Sequence, residues 1–224
     1  VDQQRAVNEI ALVDTETGQV TYGINSLFKV LANSIPFLGP LFSLKPFIWI
    51  MSKVYAFVSY NRKVIIPAEI TEDSFAIQPT FKLRYRIAYL LFTWFMASFI
   101  LTHYVGLLKE LMPVGGAYRE YFICGGQVVF QVIVVSIMAW DKKWEYLGNM
   151  MTISFAGSLL LLPALLMAKF LVLPALFYTA YFMGVAGIMF LEHFRRMGIL
   201  KLGYIPTLTW VLYRIIVLLL ILFI

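Results

Sequence analysis

Hydrophobic positions divide the chain near residue 80. Before it, apolar residues alternate with polar ones or recur at helical spacing, and beyond it they run in long stretches broken by short polar links. Five of those stretches can cross a ~30 Å hydrocarbon core, which takes about 20 helical residues. They fall at 85–108, 120–140, 146–168, 172–192 and 204–224. Only Lys169 and Phe170 separate the third from the fourth, yet their combined length needs two crossings and Pro174 supplies a helix-start proline. A tight helical hairpin is expected there.

In the first 80 residues, Glu9-Ile-Ala-Leu-Val-Asp14 and Gln19-Val-Thr-Tyr22 predict two short strands around the turn Thr15-Glu-Thr-Gly18. Ile24, Leu27, Phe28 and Leu31 then predict a helix over 24–33, with Asn25 or Ser26 able to cap it. Past Pro36, Pro40 and Pro46, the stripe Phe47, Ile50, Met51, Val54, Tyr55 and Val58 predicts another. At about 15 residues it is expected to be too short to span, and so to pack on a core or lie on the membrane surface. The fold class expected is a mainly α membrane protein, with about five transmembrane helices (81–224) after a small α/β region (1–80).

Composition agrees. The chain is 61% hydrophobic and 13% charged, with mean hydropathy +0.83, whereas soluble domains run nearer half apolar and a quarter charged. A secreted disulfide scaffold, a disordered tail and a water-soluble enzyme are therefore poor fits. Seven of the twelve acidic residues (Asp2, Glu9, Asp14, Glu16, Glu69, Glu72, Asp73) precede residue 80. Cys124 is the one cysteine, so these residues hold no disulfide, CxxC pair or cysteine zinc site.

The net charge is +6, and the placement of the cations says more than their sum. Five crossings put Lys82, Arg84, Arg86, Lys142, Lys143, Arg195, Arg196 and Lys201 on one side and Lys109, Arg119 and Lys169 on the other. That bias predicts a cytoplasmic N-terminus and an outer C-terminus. Tyr85, Tyr118, Tyr121, Trp140, Trp144, Tyr146 and Tyr204 fall near the expected water boundaries. No nucleic-acid module, P-loop, Rossmann fingerprint, HExxH or serine elbow occurs. The partners expected are the lipid bilayer and other membrane protein subunits, with no nucleic acid, and no cofactor or metal is expected.

A lone hairpin is marginal in water, so strand, turn, strand, helix reads as the second half of a larger α/β unit. The chain opens on Val1, which also suggests part of something longer. Ala11-Leu-Val-Asp-Thr-Glu-Thr-Gly-Gln-Val-Thr-Tyr-Gly-Ile-Asn-Ser-Leu-Phe-Lys-Val30, followed by Tyr55-Ala-Phe-Val-Ser-Tyr-Asn-Arg62, resembles the C-terminal half of the DCC family of thiol-disulfide oxidoreductase-like, thioredoxin-related bacterial proteins. The resemblance covers about the first 65 residues. It implies that the hairpin closes a thioredoxin-type sheet, that 24–33 is the helix after it, and that Tyr55 with Asn61 and Arg62 match a C-terminal tyrosine-and-arginine motif. It also implies a bacterial cytoplasmic membrane. The family's Asp-Gly-x-Cys-x-x-Cys run is missing, so redox catalysis falls on no residue of this chain.

Among candidate sites, Arg214 lies eleven residues into the 21-residue last stretch. A charge there needs a partner or water. It could face an anionic lipid, a quinone oxygen or a partner's carboxylate, anchor to Gln127, Gln131 or backbone carbonyls, or snorkel. Gln127 and Gln131 share a face of the second span and suit inter-helix hydrogen bonding. His103 and His193 are expected on the order of 25 Å apart along the membrane normal, too far for one metal, and each reads as interfacial. Glu192, His193, Arg195 and Arg196 read as a cytoplasmic helix end that fixes orientation or meets lipid phosphate. Ala180, Gly184 and Gly187, like Ser154 through Ser158, permit close helix approach, and Cys124 reads as a packing position.

Two functions fit: a membrane-anchored DCC-like protein whose redox motif lies outside these residues, or a non-catalytic accessory subunit of a respiratory or secretory membrane complex. A carrier with a midplane site at Arg214 is weaker, because the spans show no paired interruptions.

Overall fold

A computed structural model describes residues 1–67, 79–113 and 115–223. Glu69, Glu72 and Asp73 of the early acidic group lie outside them. The chain divides into two compact units, Val1–Arg86 and Ile87–Ile224.

The first unit begins with α1 (Gln3–Ala6), where the Asp2 side chain accepts from the Arg5 N–H. Strands β1 (Ala11–Val13) and β2 (Val20–Tyr22) pair antiparallel, with Leu12 opposite Thr21. Asp14 builds the turn between them by accepting the N–H groups of Glu16 and Thr17, each at 3.0 Å. Those N–H groups, Thr17 first, hold its carboxyl below the ordinary aspartate value. Gly18, at φ 71°, then turns the chain back.

Helix α2 (Ile24–Ser34) follows, and neither Asn25 nor Ser26 caps it. Gly23 holds the cap position at φ 65° with no side-chain cap, while Ser26 lies inside the helix with its hydroxyl 3.4 Å from that of Thr21. Phe28 stacks on Phe42 of α3 (Gly39–Phe42) at 4.6 Å and on Phe47 of α4 (Lys45–Ile65) at 5.5 Å. Helix α4 has 21 residues, not the roughly 15 expected from its apolar stripe. Past the exposed Val58 the helix continues through two buried positions, Asn61 and Val64. Asn61 is buried because its amide donates to the Phe57 carbonyl at 2.9 Å and the Tyr85 carbonyl at 3.1 Å.

Among the described residues five helices are long and apolar enough to cross a membrane, and the chain is a multi-pass membrane protein. They are α5 (Leu83–Val105, extended by a 3-10 turn to Leu108), α6 (Arg119–Met138), α7 (Lys143–Met167), α8 (Ala175–Ile199) and α9 (Ile205–Phe223). Residues 168–174 link α7 to α8, a longer connection than Lys169-Phe170, and Pro174 sits at the position just before α8. Helix α8 runs seven residues past the expected end at 192. The charges that suggested a terminus are met inside the helix, as described below.

The second unit packs two apolar clusters. One joins Val135 of α6, Tyr146, Leu147 and Met150 of α7, Met197 of α8 and Trp210 of α9, and the other joins Tyr104 of α5, Leu161 of α7 and Tyr178 of α8. Helices α7 and α8 approach closely at Gly157, where a β-carbon would overlap the Met189 sulfur.

Candidate functional site

Inside a bilayer no water is at hand to satisfy a stray polar atom, so buried side chains must find partners on neighbouring helices. Four helices of the second unit bring such groups together. The Tyr146 hydroxyl of α7, fully buried, donates to Gln131 Oε1 of α6 at 2.8 Å. Gln131 Nε2 in turn donates to Thr209 Oγ1 of α9 at 3.2 Å. His193 of α8 stands 3.4 Å from the Tyr146 oxygen through Nε2 and 2.9 Å from Thr207 Oγ1 of α9 through Nδ1. With the imidazole neutral, Thr207 donates to Nδ1 and Nε2 donates to the Tyr146 oxygen, so the run from Thr207 to Gln131 closes with donors and acceptors matched. The Trp210 ring stacks on His193 at 5.2 Å between centroids, and Gln127 Nε2 donates to the Trp210 carbonyl at 3.1 Å.

One turn further along α8, the Glu192 carboxylate receives Arg195 through two bonds and Arg196 through one, all at 2.7 Å. Arg196, buried, also donates through Nη1 to Asn149 Oδ1 of α7 at 3.0 Å. The end of α8 is closed from outside by Lys142, which donates to the Leu200 carbonyl at 2.9 Å. Charges that looked like an interfacial terminus are therefore partly a helix-to-helix bridge.

Several sequence expectations change. His193 is buried among neighbouring helices, and Tyr146, read as a boundary aromatic, is its buried neighbour. Gln127 and Gln131 do join helices, but to Trp210, Thr209 and Tyr146, with no hydrogen bond to Arg214. Arg214 lies 5.8 Å from the Trp210 ring centroid, and its Nε has no hydrogen-bond partner among the described residues. His103 is exposed, its Nδ1 2.8 Å from the Phe99 carbonyl, and no contact joins it to His193. Cys124 is buried, beside Gly126, over which the Tyr213 hydroxyl sits. Ala180, Gly184 and Gly187 lie on the exposed face of α8, and a β-carbon at either glycine would meet nothing within 4 Å. The close approach of α7 and α8 uses Gly157, in the small-residue run ending at Ser158, and not those positions.

Tyr146, Asn149, Thr207 and Thr209 were invisible as site residues in the sequence. Thr207 and Thr209 had one usable signal, two hydroxyls within a turn near the start of an apolar span, whereas Tyr146 and Asn149 follow a lysine pair and read as boundary residues. Among the described residues no group of three or more His, Cys, Asp or Glu side chains could hold a metal ion.

The first unit has a cleft of about 280 Å³ lined in part by Arg5, Glu9, Tyr22, Tyr55, Tyr60 and Lys82. Arg5 pairs with Glu9 at 3.0 Å, and Glu9 faces Gly23 at the start of α2, placing a carboxylate at the positive end of that helix. Tyr55 accepts the Ile10 N–H at 2.7 Å, and Lys82 donates to the Tyr60 hydroxyl at 2.7 Å. The polar groups of this cleft are largely paired with one another. No family model matches the chain, and no curated protein or solved structure is a significant match to it.

Proposed function

We propose that this chain is the membrane-anchored part of a DCC-like, thioredoxin-related bacterial protein, and that its residues act as anchor and docking surface for a partner membrane subunit without redox chemistry of their own. One observation carries the reading: the polar side chains inside the five-helix unit hold one another, from Gln131, Tyr146 and His193 to Arg196, Asn149 and Glu192. Such a satisfied network rigidifies the bundle, which supports a structural role for these side chains. Thiol-disulfide exchange needs an attacking and a resolving thiol, and the chain has Cys124 alone, buried. The bare small-residue face at Ala180, Gly184 and Gly187 suits a partner's helix. The cation bias supports a cytoplasmic N-terminus, and the DCC-like resemblance of the first 65 residues supports a bacterial inner membrane.

The test is purification of the chain from its native membrane in mild detergent, beside Gly184→Leu. The reading expects a membrane protein in fixed stoichiometry that Gly184→Leu releases. That substitution has open space around it, so the released chain should keep its own thermal stability. Recovery of the chain alone, or a partner indifferent to residue 184, would count against the docking role.

A further inference from the structure

Helix α4 has two faces with different fates. Along Lys45–Ser59 one side is pinned within the first unit, where Tyr55 accepts the Ile10 N–H and Ser59 donates to the Asn8 carbonyl. The other carries Trp49, Ile50, Val54 and Val58, between 47% and 65% exposed. Immediately before it, Phe37 is 80% exposed, Leu44 54% and Leu41 38%, so the bare apolar surface runs on from the short helices. A soluble surface scatters such residues singly, and a contiguous set of large ones marks an interaction face.

Its charge pattern identifies the occupant. Helix α4 contains no aspartate or glutamate. Lys45 and Lys53 are exposed alongside the apolar residues, and Lys53 reaches over the Trp49 ring at 5.9 Å. An apolar strip with a tryptophan, edged by cations and free of acids, matches the boundary between acyl chains and anionic headgroups. At 21 residues α4 could also reach across a membrane. It does not pass as a span by itself, however, and qualifies only jointly with Pro36–Phe42, from which it bends by 91°. Lys53 in its middle would then sit in hydrocarbon, whereas a helix lying in the surface lets every cation reach water.

We propose that the exposed face of α4, with Phe37, Leu41 and Leu44 before it, lies in the surface of a bilayer leaflet rich in anionic lipid. The apolar strip inserts below the headgroups, and Lys45 and Lys53 bind lipid phosphates. The first unit is thereby held to the membrane by its own surface as well as by the chain that leads into α5.

The experiment uses the full chain in nanodiscs, with Cys124→Ser and a single nitroxide-labelled cysteine at Val54, compared with the same label at Asn25, an exposed position of α2. Collisions with oxygen and with a water-soluble nickel chelate are read by electron paramagnetic resonance. The expected result at 54 is high oxygen and low nickel accessibility at headgroup depth, the reverse at 25, and deeper insertion with phosphatidylglycerol than with phosphatidylcholine alone. Lys45→Glu with Lys53→Glu should erase the lipid dependence. Nickel accessibility at 54 equal to that at 25 would overturn the proposal, protection from both reagents would make the face a protein interface instead, and a depth at the bilayer centre would make it part of a sixth, broken crossing.

Discussion

The two units satisfy their polar groups in different ways. In the first, side chains reach mainly for backbone: Tyr55 meets the Ile10 N–H, Asn61 the Tyr85 carbonyl and Asp14 the amides of its own turn. In the second, side chains of four helices meet one another, as in Tyr146 with Gln131 and Arg196 with Asn149. A short hairpin leaves backbone groups and strand edges unmet, and side chains can fill some of them while water takes the rest. Transmembrane helices satisfy their own backbone, so a polar side chain between them bonds another side chain or shares a carbonyl already in use, as Gln127 does at Trp210. The difference follows from the solvent, and it says where each unit breaks.

The largest effect is expected from Gln131→Leu, which strips both Tyr146 and Thr209 of a partner inside the membrane. About 2 kcal/mol should be lost, read as a shift in denaturant-induced unfolding of the purified protein in mixed micelles, while hairpin amides of the first unit keep their exchange rates. Tyr146→Phe should cost less, about 1 kcal/mol. In the Gln131→Leu background it should cost less again, because the bond is already gone, and a double-mutant cycle reads that coupling. Additive losses would mean that the two side chains do not act as a pair.

Crossing to the first unit, Tyr55→Phe leaves the Ile10 N–H without its acceptor and should cost about 1 kcal/mol. Hydrogen exchange should speed up at Ile10 and the hairpin and leave α6 to α9 unchanged. A change spread over both units would erase the contrast between them.

The smallest effect concerns pH. Because the Thr17 and Glu16 amides lower the Asp14 pKa in the folded chain, its contribution is present above the unfolded aspartate value of about 3.9. It is lost as pH falls through the lower, folded value. Exchange protection of the Thr17 amide should decline in that acid window, and Asp14→Ala should remove the dependence.

The spans were legible because length and hydropathy decide whether a helix can cross, and their observed limits differ from expectation by a few residues except in α8. That exception is informative: charge was read as a boundary, but Glu192 neutralises Arg195 and Arg196 within the helix and Asn149 receives Arg196 across it. The paired glutamines pointed to inter-helix bonding because two amides on one face need partners. Their partners were not legible, since nothing in the order of residues states which helix faces which. Tyr146 shows the limit most plainly, because a tyrosine beside lysines looks like a boundary residue until a histidine forty-seven positions later comes within reach of its oxygen. Tyr55 and Asn61, singled out in the sequence, have structural roles in the first unit.

The most direct test of the central claim, that these residues anchor and dock without redox chemistry, is disulfide-reducing turnover of the full chain in nanodiscs, followed with a fluorogenic disulfide substrate and a chemical thiol reductant, beside Cys124→Ser. The account predicts the uncatalysed rate for both proteins. Turnover above that rate which disappears with Cys124→Ser would contradict it.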